Sequence, residues 1–163
     1  MDLRPRPLPL LLLLTSAGAL LAALGFQYLG GYAPCHLCHE QRYAHVVSLI
    51  LAAAALVLPA RVFRIGTAVA ALTLLGGAAL AGYHVGVEQG WWAGPASCTT
   101  GSLDFSDISK LRAQIEATPV VRCDEVQWTL FGLSMAAWNF LLSAAVGLFV
   151  LGALVCRVKR GRP

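Results

Sequence analysis

The stretch Leu8–Leu29, LPLLLLLTSAGALLAALGFQYL, runs without a charged residue. A helix rises about 1.5 Å per residue, so roughly 20 such residues cross the hydrocarbon core of a bilayer. Three further windows have the same character: about Tyr43 to Leu58, Ile65 to Val87 and Leu130 to Val155. They are rich in Ala and Leu and do not alternate in polarity, which favours helices over strands. The whole chain of 163 residues is 58% hydrophobic and 12% charged, with a mean hydropathy of +0.69, outside the usage of soluble globular domains. The expected fold is an all-α membrane protein, a single domain over 1–163 built as a four-transmembrane-helix bundle. Its spans are about 8–29, 43–58, 65–87 and 130–155, with outer loops at about 30–42 and 88–129.

Lipid offers no partner to an unpaired backbone group, so spans this apolar form helices that pack on one another. Gly76, Gly77, Gly82 and Gly86 in the third window and Ala52 to Ala55 in the second supply the small residues for close approach. The first window has one other reading, a cleavable signal peptide, since Arg4 and Arg6 precede the leucines and Ala17-Gly18-Ala19 resembles a cleavage site. The apolar run continues past that site to Phe26, longer than an ordinary signal core.

Basic residues set the orientation. Arg4, Arg6, Arg61, Arg64, Arg157, Lys159, Arg160 and Arg162 all fall on one side of the four windows, which the positive-inside rule makes the cytoplasm, with both chain ends there. Arg42, Lys110, Arg112 and Arg122 fall on the other side. The net charge of +4 follows from topology, and no nucleic-acid partner is expected.

Four of the five cysteines then face outward, where disulfides persist: Cys35 and Cys38 in the first outer loop, Cys98 and Cys123 in the second. Cys156, at the inner end of the last window, reads as a small apolar residue. Between Cys98 and Cys123, the residues Phe105, Ile108, Leu111 and Ile115 recur at helical spacing among polar neighbours. The stretch Asp104 to Glu116 is therefore expected to form a short amphipathic helix at the membrane surface. A bond between Cys98 and Cys123 would close a loop over it, although four cysteines permit three pairings.

The segment Pro34-Cys35-His36-Leu37-Cys38-His39-Glu40-Gln41-Arg42 admits three chemistries. Cys35-His36-Leu37-Cys38-His39 matches the C-x-x-C-H haem attachment pattern, with His39 as axial ligand. A short loop provides few apolar walls for a haem, however, and the second cysteine pair would stay unexplained. Zinc could take Cys35 and Cys38 with His36, His39 or His45, yet Cys98 and Cys123 lack the spacing of a second knuckle; no metal is expected. Redox exchange needs only two bridgeable thiols and a stabilised thiolate. Arg42 suits that role, because a helix beginning near Cys38 would place its permanent charge one turn along on the same face as the sulfur. An arginine at a span end can also simply snorkel. His84, in an otherwise apolar pattern near the outer end of the third window, is an ionisable group at membrane depth and hence a candidate. It could hydrogen-bond a carbonyl ligand or relay a proton, or merely join two helices.

Together these residues resemble the DsbB family of bacterial inner-membrane disulfide bond formation proteins. The likeness spans nearly the whole chain: the apolar windows, Pro34-Cys35-x-x-Cys38 with Arg42, the spaced second pair, Gln127-Trp128, and Phe131-Gly132-Leu133-Ser134-Met135-Ala136-Ala137-Trp138. Ala136 stands where the family often has proline. The resemblance implies a quinone-dependent thiol oxidase with Cys35, Cys38, Cys98 and Cys123 as catalytic residues. A reduced periplasmic DsbA-like protein would attack Cys98 and release Cys123. The Cys35–Cys38 disulfide would reoxidise that pair, and Cys38 would pass electrons to a ubiquinone or menaquinone bound near Arg42, Cys38 and His84. Enzymes of the vitamin K epoxide reductase type share such parts, but there the CxxC follows the spaced pair. The alternative from another class is a non-catalytic membrane protein carrying a covalent haem or purely structural disulfides.

Overall fold

The computed structural model describes residues 7–57, 59–95, 98, 107–109, 112 and 121–160. It contains helices α1 (Pro7–Tyr28), α2 (His36–Val57), α3 (Ala60–Glu88) and α4 (Met135–Arg160). A small antiparallel hairpin, β1 (Thr129–Leu130) and β2 (Leu133–Ser134), leads into α4. α1, α3 and α4 are each long and apolar enough to cross a membrane. α2 begins at His36, two turns ahead of the apolar window at Tyr43, and those turns carry His36, His39, Glu40, Gln41 and Arg42. The polar start is helical because Pro34 holds the chain extended up to Cys35, whose carbonyl accepts the first helical hydrogen bond from the His39 N–H (3.2 Å). Much of the segment expected as the first outer loop is thus the head of a helix.

The fourth apolar window likewise starts before its helix. Phe131 and Gly132 both have positive φ (52° and 77°), the geometry of a two-residue hairpin turn, and pair Leu130 with Leu133. Ser134 then caps α4, its hydroxyl accepting the Ala137 N–H at 3.1 Å. The amphipathic helix expected over Asp104 to Glu116 lies outside the described residues except for 107–109 and 112.

Helix packing is organised around α3, which lies against both α2 and α4, while α1 packs chiefly on α2. Leu8, Leu12, Ala52, Ala70, Ala71, Leu74, Val150 and Leu154 form one buried cluster toward the end of the bundle where α2 turns into α3. Gly77 faces Ala44, and a Cβ there would lie 2.8 Å from the Ala44 methyl. That contact requires a glycine, so α2 and α3 approach closely at this level. Gly76 meets nothing and contributes no such contact. Ser48 adds a hydrogen bond from its hydroxyl to the Ala70 carbonyl (3.1 Å) between the same two helices.

A second buried cluster sits at the opposite end and consists of Cys35, Leu37, Val87, Cys98 and Cys123. The chain leaving α3 folds back here. Trp92 stacks on Tyr83 with centroids 5.8 Å apart and donates its indole N–H to the Tyr83 carbonyl at 2.9 Å. A Cβ at position 86 would meet the Trp92 ring at 2.0 Å, so Gly86 creates the space for this return.

Candidate functional site

Cys35 occupies the N-cap position of α2, and its Sγ accepts the Cys38 N–H at 3.2 Å as a capping side chain would. The Cys35 and Cys38 sulfurs are not bonded and lie 2.8 Å apart. Cys98 and Cys123 form a disulfide. The chain between α3 and β1 brings that bond to the head of α2, so that Cys35 Sγ, Cys123 Sγ and His84 Nε2 lie within 4.8 Å of one another. His84 Nε2 is 3.7 Å from Cys35 Sγ and 3.2 Å from the Cys123 carbonyl oxygen. Cys35, Cys38, Cys98, Cys123 and His84 therefore meet in one place.

Beside them a cavity of about 380 Å³ opens between α1, α2 and α4. Its walls are mainly apolar, with Phe26, Trp128, Leu130, Met135 and Trp138 among them, while Cys38, Arg42, His45 and His84 supply polar groups. Trp128 packs on Phe26 at a centroid distance of 4.8 Å, and the Trp138 indole donates to the Leu130 carbonyl at 3.1 Å, which ties α1 and α4 to the hairpin. Arg42 spans from α2 to α1, with Nη1 donating to Gln27 Oε1 and Nη2 to the Ala23 carbonyl at 3.2 Å. Among the described residues its hydrogen bonds go to neutral acceptors, and its charge lies at the cavity wall, near enough to Cys38 to favour the thiolate. A flat aromatic head with acceptor oxygens suits such a cavity, since it can lie between rings and meet a fixed donor.

A hydrogen bond links the two unbonded thiols. The hydrogen bond from Cys35 pulls the Cys38 thiol down to about 7, burial opposes this, and the Arg42 charge adds to it. Cys35 is pushed up by the same hydrogen bond and by burial, and so keeps the proton. The thiolate is the nucleophile, so alkylation of Cys38 in the reduced protein should rise with pH and reach half its maximal rate near pH 7. Cys35→Ala should move that midpoint up toward the ordinary thiol value; iodoacetamide labelling followed by mass spectrometry measures it. A midpoint unchanged by Cys35→Ala would refute the stabilisation of the Cys38 thiolate by Cys35.

Residues 5–153 match the family described as Disulfide bond formation protein DsbB. The chain belongs to the DsbB family. It is 38% identical to the Disulfide bond formation protein B of Methylococcus capsulatus over 147 residues, covering 83% of this chain and 85% of that one. It is 33% identical to the protein of the same name from Verminephrobacter eiseniae over 168 residues (98% and 91%). The protein so named from Polaromonas sp. is 32% identical over 168 residues (99% and 96%). No solved structure matches the chain. As a DsbB-family member it is a disulfide-forming oxidoreductase and a multi-pass membrane protein.

The haem alternative finds no support among these DsbB relatives, and His39, its axial ligand, is exposed. The trio Cys35, His84 and Cys123 has a spacing that could surround a metal ion, but in this state Cys123 is committed to its disulfide. Three side chains around the site carried no role in the sequence reading: Gln41, Asn139 and Ser134. Gln41 links His84 to Asn139, with Gln41 Nε2 and His84 Nδ1 2.9 Å apart and Asn139 Nδ2 donating to Gln41 Oε1 at 2.7 Å. Ser134 donates its hydroxyl to Glu88, whose other carboxylate oxygen is 4.0 Å from His84 Nε2. A detectable signal did exist in the sequence. Gln41, His45 and Ser48 recur at helical spacing on α2, and Asn139 interrupts an apolar run.

Proposed function

We propose that this protein reoxidises a DsbA-like periplasmic thiol protein and passes the electrons to a ubiquinone or menaquinone of the bacterial inner membrane. In this reading α2 is a span as well, both termini are cytoplasmic and the four outer cysteines face the periplasm. The observation that carries the proposal is the meeting of two cysteine pairs beside an apolar cavity with an arginine on its wall. A purely structural disulfide would need neither the second pair nor the cavity.

The relay runs in thiol–disulfide steps. A thiolate of the partner attacks Cys98, forming a mixed disulfide and releasing Cys123 as thiolate; the partner's second thiol then attacks its own bonded sulfur, leaves oxidised and frees Cys98. With Cys35 and Cys38 bridged, Cys123 attacks Cys35, whose sulfur lies within 4.8 Å, and Cys38 leaves as the stabilised thiolate. Cys98 then attacks Cys123, restoring the outer disulfide and freeing Cys35. When bound, a quinone would accept two electrons and two protons from the Cys35/Cys38 dithiol. Arg42 holds a donor at the cavity wall for an acceptor oxygen, and Phe26, Trp128 and Trp138 keep water from the reacting sulfur.

The test is oxidation of reduced DsbA by the detergent-solubilised protein with and without added ubiquinone, following thiols by alkylation and mass. Multiple turnovers that require quinone are expected. Turnover without quinone, or none with it, would overturn the reading.

A further inference from the structure

Buried Gln41, His84 and His45 and half-buried Asn139, from three different helices, form a hydrogen-bonded chain whose direction is forced. Leu37 sets it: its carbonyl can only accept, and Gln41 faces it with Nε2 at 3.2 Å. The same Nε2 lies 2.9 Å from His84 Nδ1, so that ring nitrogen must accept and carries no proton. A neutral imidazole then bears its proton on Nε2. That nitrogen faces another obligate acceptor, the Cys123 carbonyl, at 3.2 Å. Two backbone carbonyls, on opposite sides of the ring, therefore demand the same tautomer independently.

The remaining members hold Gln41 in that orientation. Its Oε1 accepts from Asn139 Nδ2 (2.7 Å), which turns Asn139 Oδ1 toward the Ser143 hydroxyl (3.1 Å) and His45 Nε2 (2.8 Å). His45 consequently carries its proton on Nε2, and its buried Nδ1 has no partner among the described residues. Reversing the Gln41 amide would set oxygen against oxygen at Leu37, and reversing Asn139 would do so at Gln41 Oε1, at a cost of about 1–3 kcal/mol for a buried group without its bond.

We infer that His84 is a hydrogen-bond donor to the Cys35 sulfur and not a base toward it, with Gln41 and Asn139 as the positioning residues that make it so. The Nε2–H sits 3.7 Å from Cys35 Sγ and can turn from the Cys123 carbonyl toward it. This deepens the relay proposed above and rests on its last exchange. There the Cys98 thiolate attacks Cys123, the Cys98–Cys123 bond forms, the Cys35–Cys123 bond breaks, and the negative charge moves from Cys98 to Cys35. No external oxidant takes part. A donor aimed at Cys35 favours that departure, whereas an unprotonated nitrogen there would oppose it.

The experiment is long-range proton–nitrogen correlation on the full chain in detergent, with 15N-labelled histidine and His84→Gln for assignment. The inference expects His84 as the Nε2–H tautomer. Gln41→Glu, whose ionised carboxylate accepts at Nδ1 while the Cys123 carbonyl still takes the Nε2 proton, should convert it to the doubly protonated imidazolium, and Asn139→Leu should leave a mixture. The same variants should slow resolution of a trapped Cys35–Cys123 disulfide about tenfold. A wild-type His84 that is Nδ1–H or doubly protonated would overturn the inference, even if the variants failed to fold. So would a His84 protonation state that Gln41→Glu, with its carboxylate ionised, leaves unchanged. The spectrum needs neither partner nor quinone, so failure of the relay and failure of the tautomer assignment are read separately.

Discussion

Cys38→Ser should leave one stoichiometric oxidation of the thiol partner and abolish all turnover beyond it. The outer disulfide is already formed in this variant and accepts one pair of electrons through Cys98. A serine hydroxyl cannot then receive a sulfur, so the Cys35/Cys38 pair cannot be rebuilt as a disulfide and the reduced Cys98/Cys123 dithiol has no acceptor. Steady-state rate should fall by at least about three orders of magnitude, the scale for loss of a covalent catalytic group. Rapid quench with alkylation distinguishes the single event from turnover. Sustained turnover in Cys38→Ser would mean that electrons leave by a route that avoids the cavity.

Arg42→Met should act on a different parameter. The methionine keeps much of the apolar stem while removing the donors that now reach Gln27 and the Ala23 carbonyl. A hydrogen bond from a charged donor to a neutral acceptor contributes about 1.5–3 kcal/mol, so the KM for ubiquinone should rise between roughly ten- and a hundredfold. Exchange between the partner and Cys98 should be unchanged, because Arg42 touches neither. Arg42→Lys should recover part of the loss, as a point charge without the planar fork. The decisive measurement varies quinone at saturating partner. A fall in partner exchange with an unaltered quinone KM would remove Arg42 from the cavity's function.

Much of this architecture is legible in the residues themselves. The windows around α1, α3 and α4 are long and apolar, and their helices extend nearly to the expected ends. Cys35, Cys38 and Arg42 are conspicuous because short-range spacing specifies them, and helical geometry then brings them to one face. The head of α2 was obscured by its own composition, since hydropathy registers His36 to Arg42 as loop although the backbone is helical. The hairpin before α4 depends on two consecutive positive φ values, one of them at Phe131, a residue with no turn preference. Gln41 and Asn139 illustrate a different obstacle. Each looks like an isolated polar residue, and they are 98 positions apart in the chain. Only the packing of both α2 and α4 on α3 brings them into one network with His84. Pairing of Cys98 with Cys123 is likewise a tertiary fact, which spacing leaves open.

The depth of the outer disulfide bears on who can use it. Cys98 is 3% exposed and Cys123 1%, so a small thiol diffusing in the surrounding solution finds almost no sulfur to strike. Exposing the sulfurs costs free energy, which a macromolecule can supply from its own docking contacts where glutathione cannot. Burial at this bond thus works as kinetic insulation. In the proposed relay it would keep the oxidising equivalents from bystander thiols and reserve discharge for a macromolecular partner.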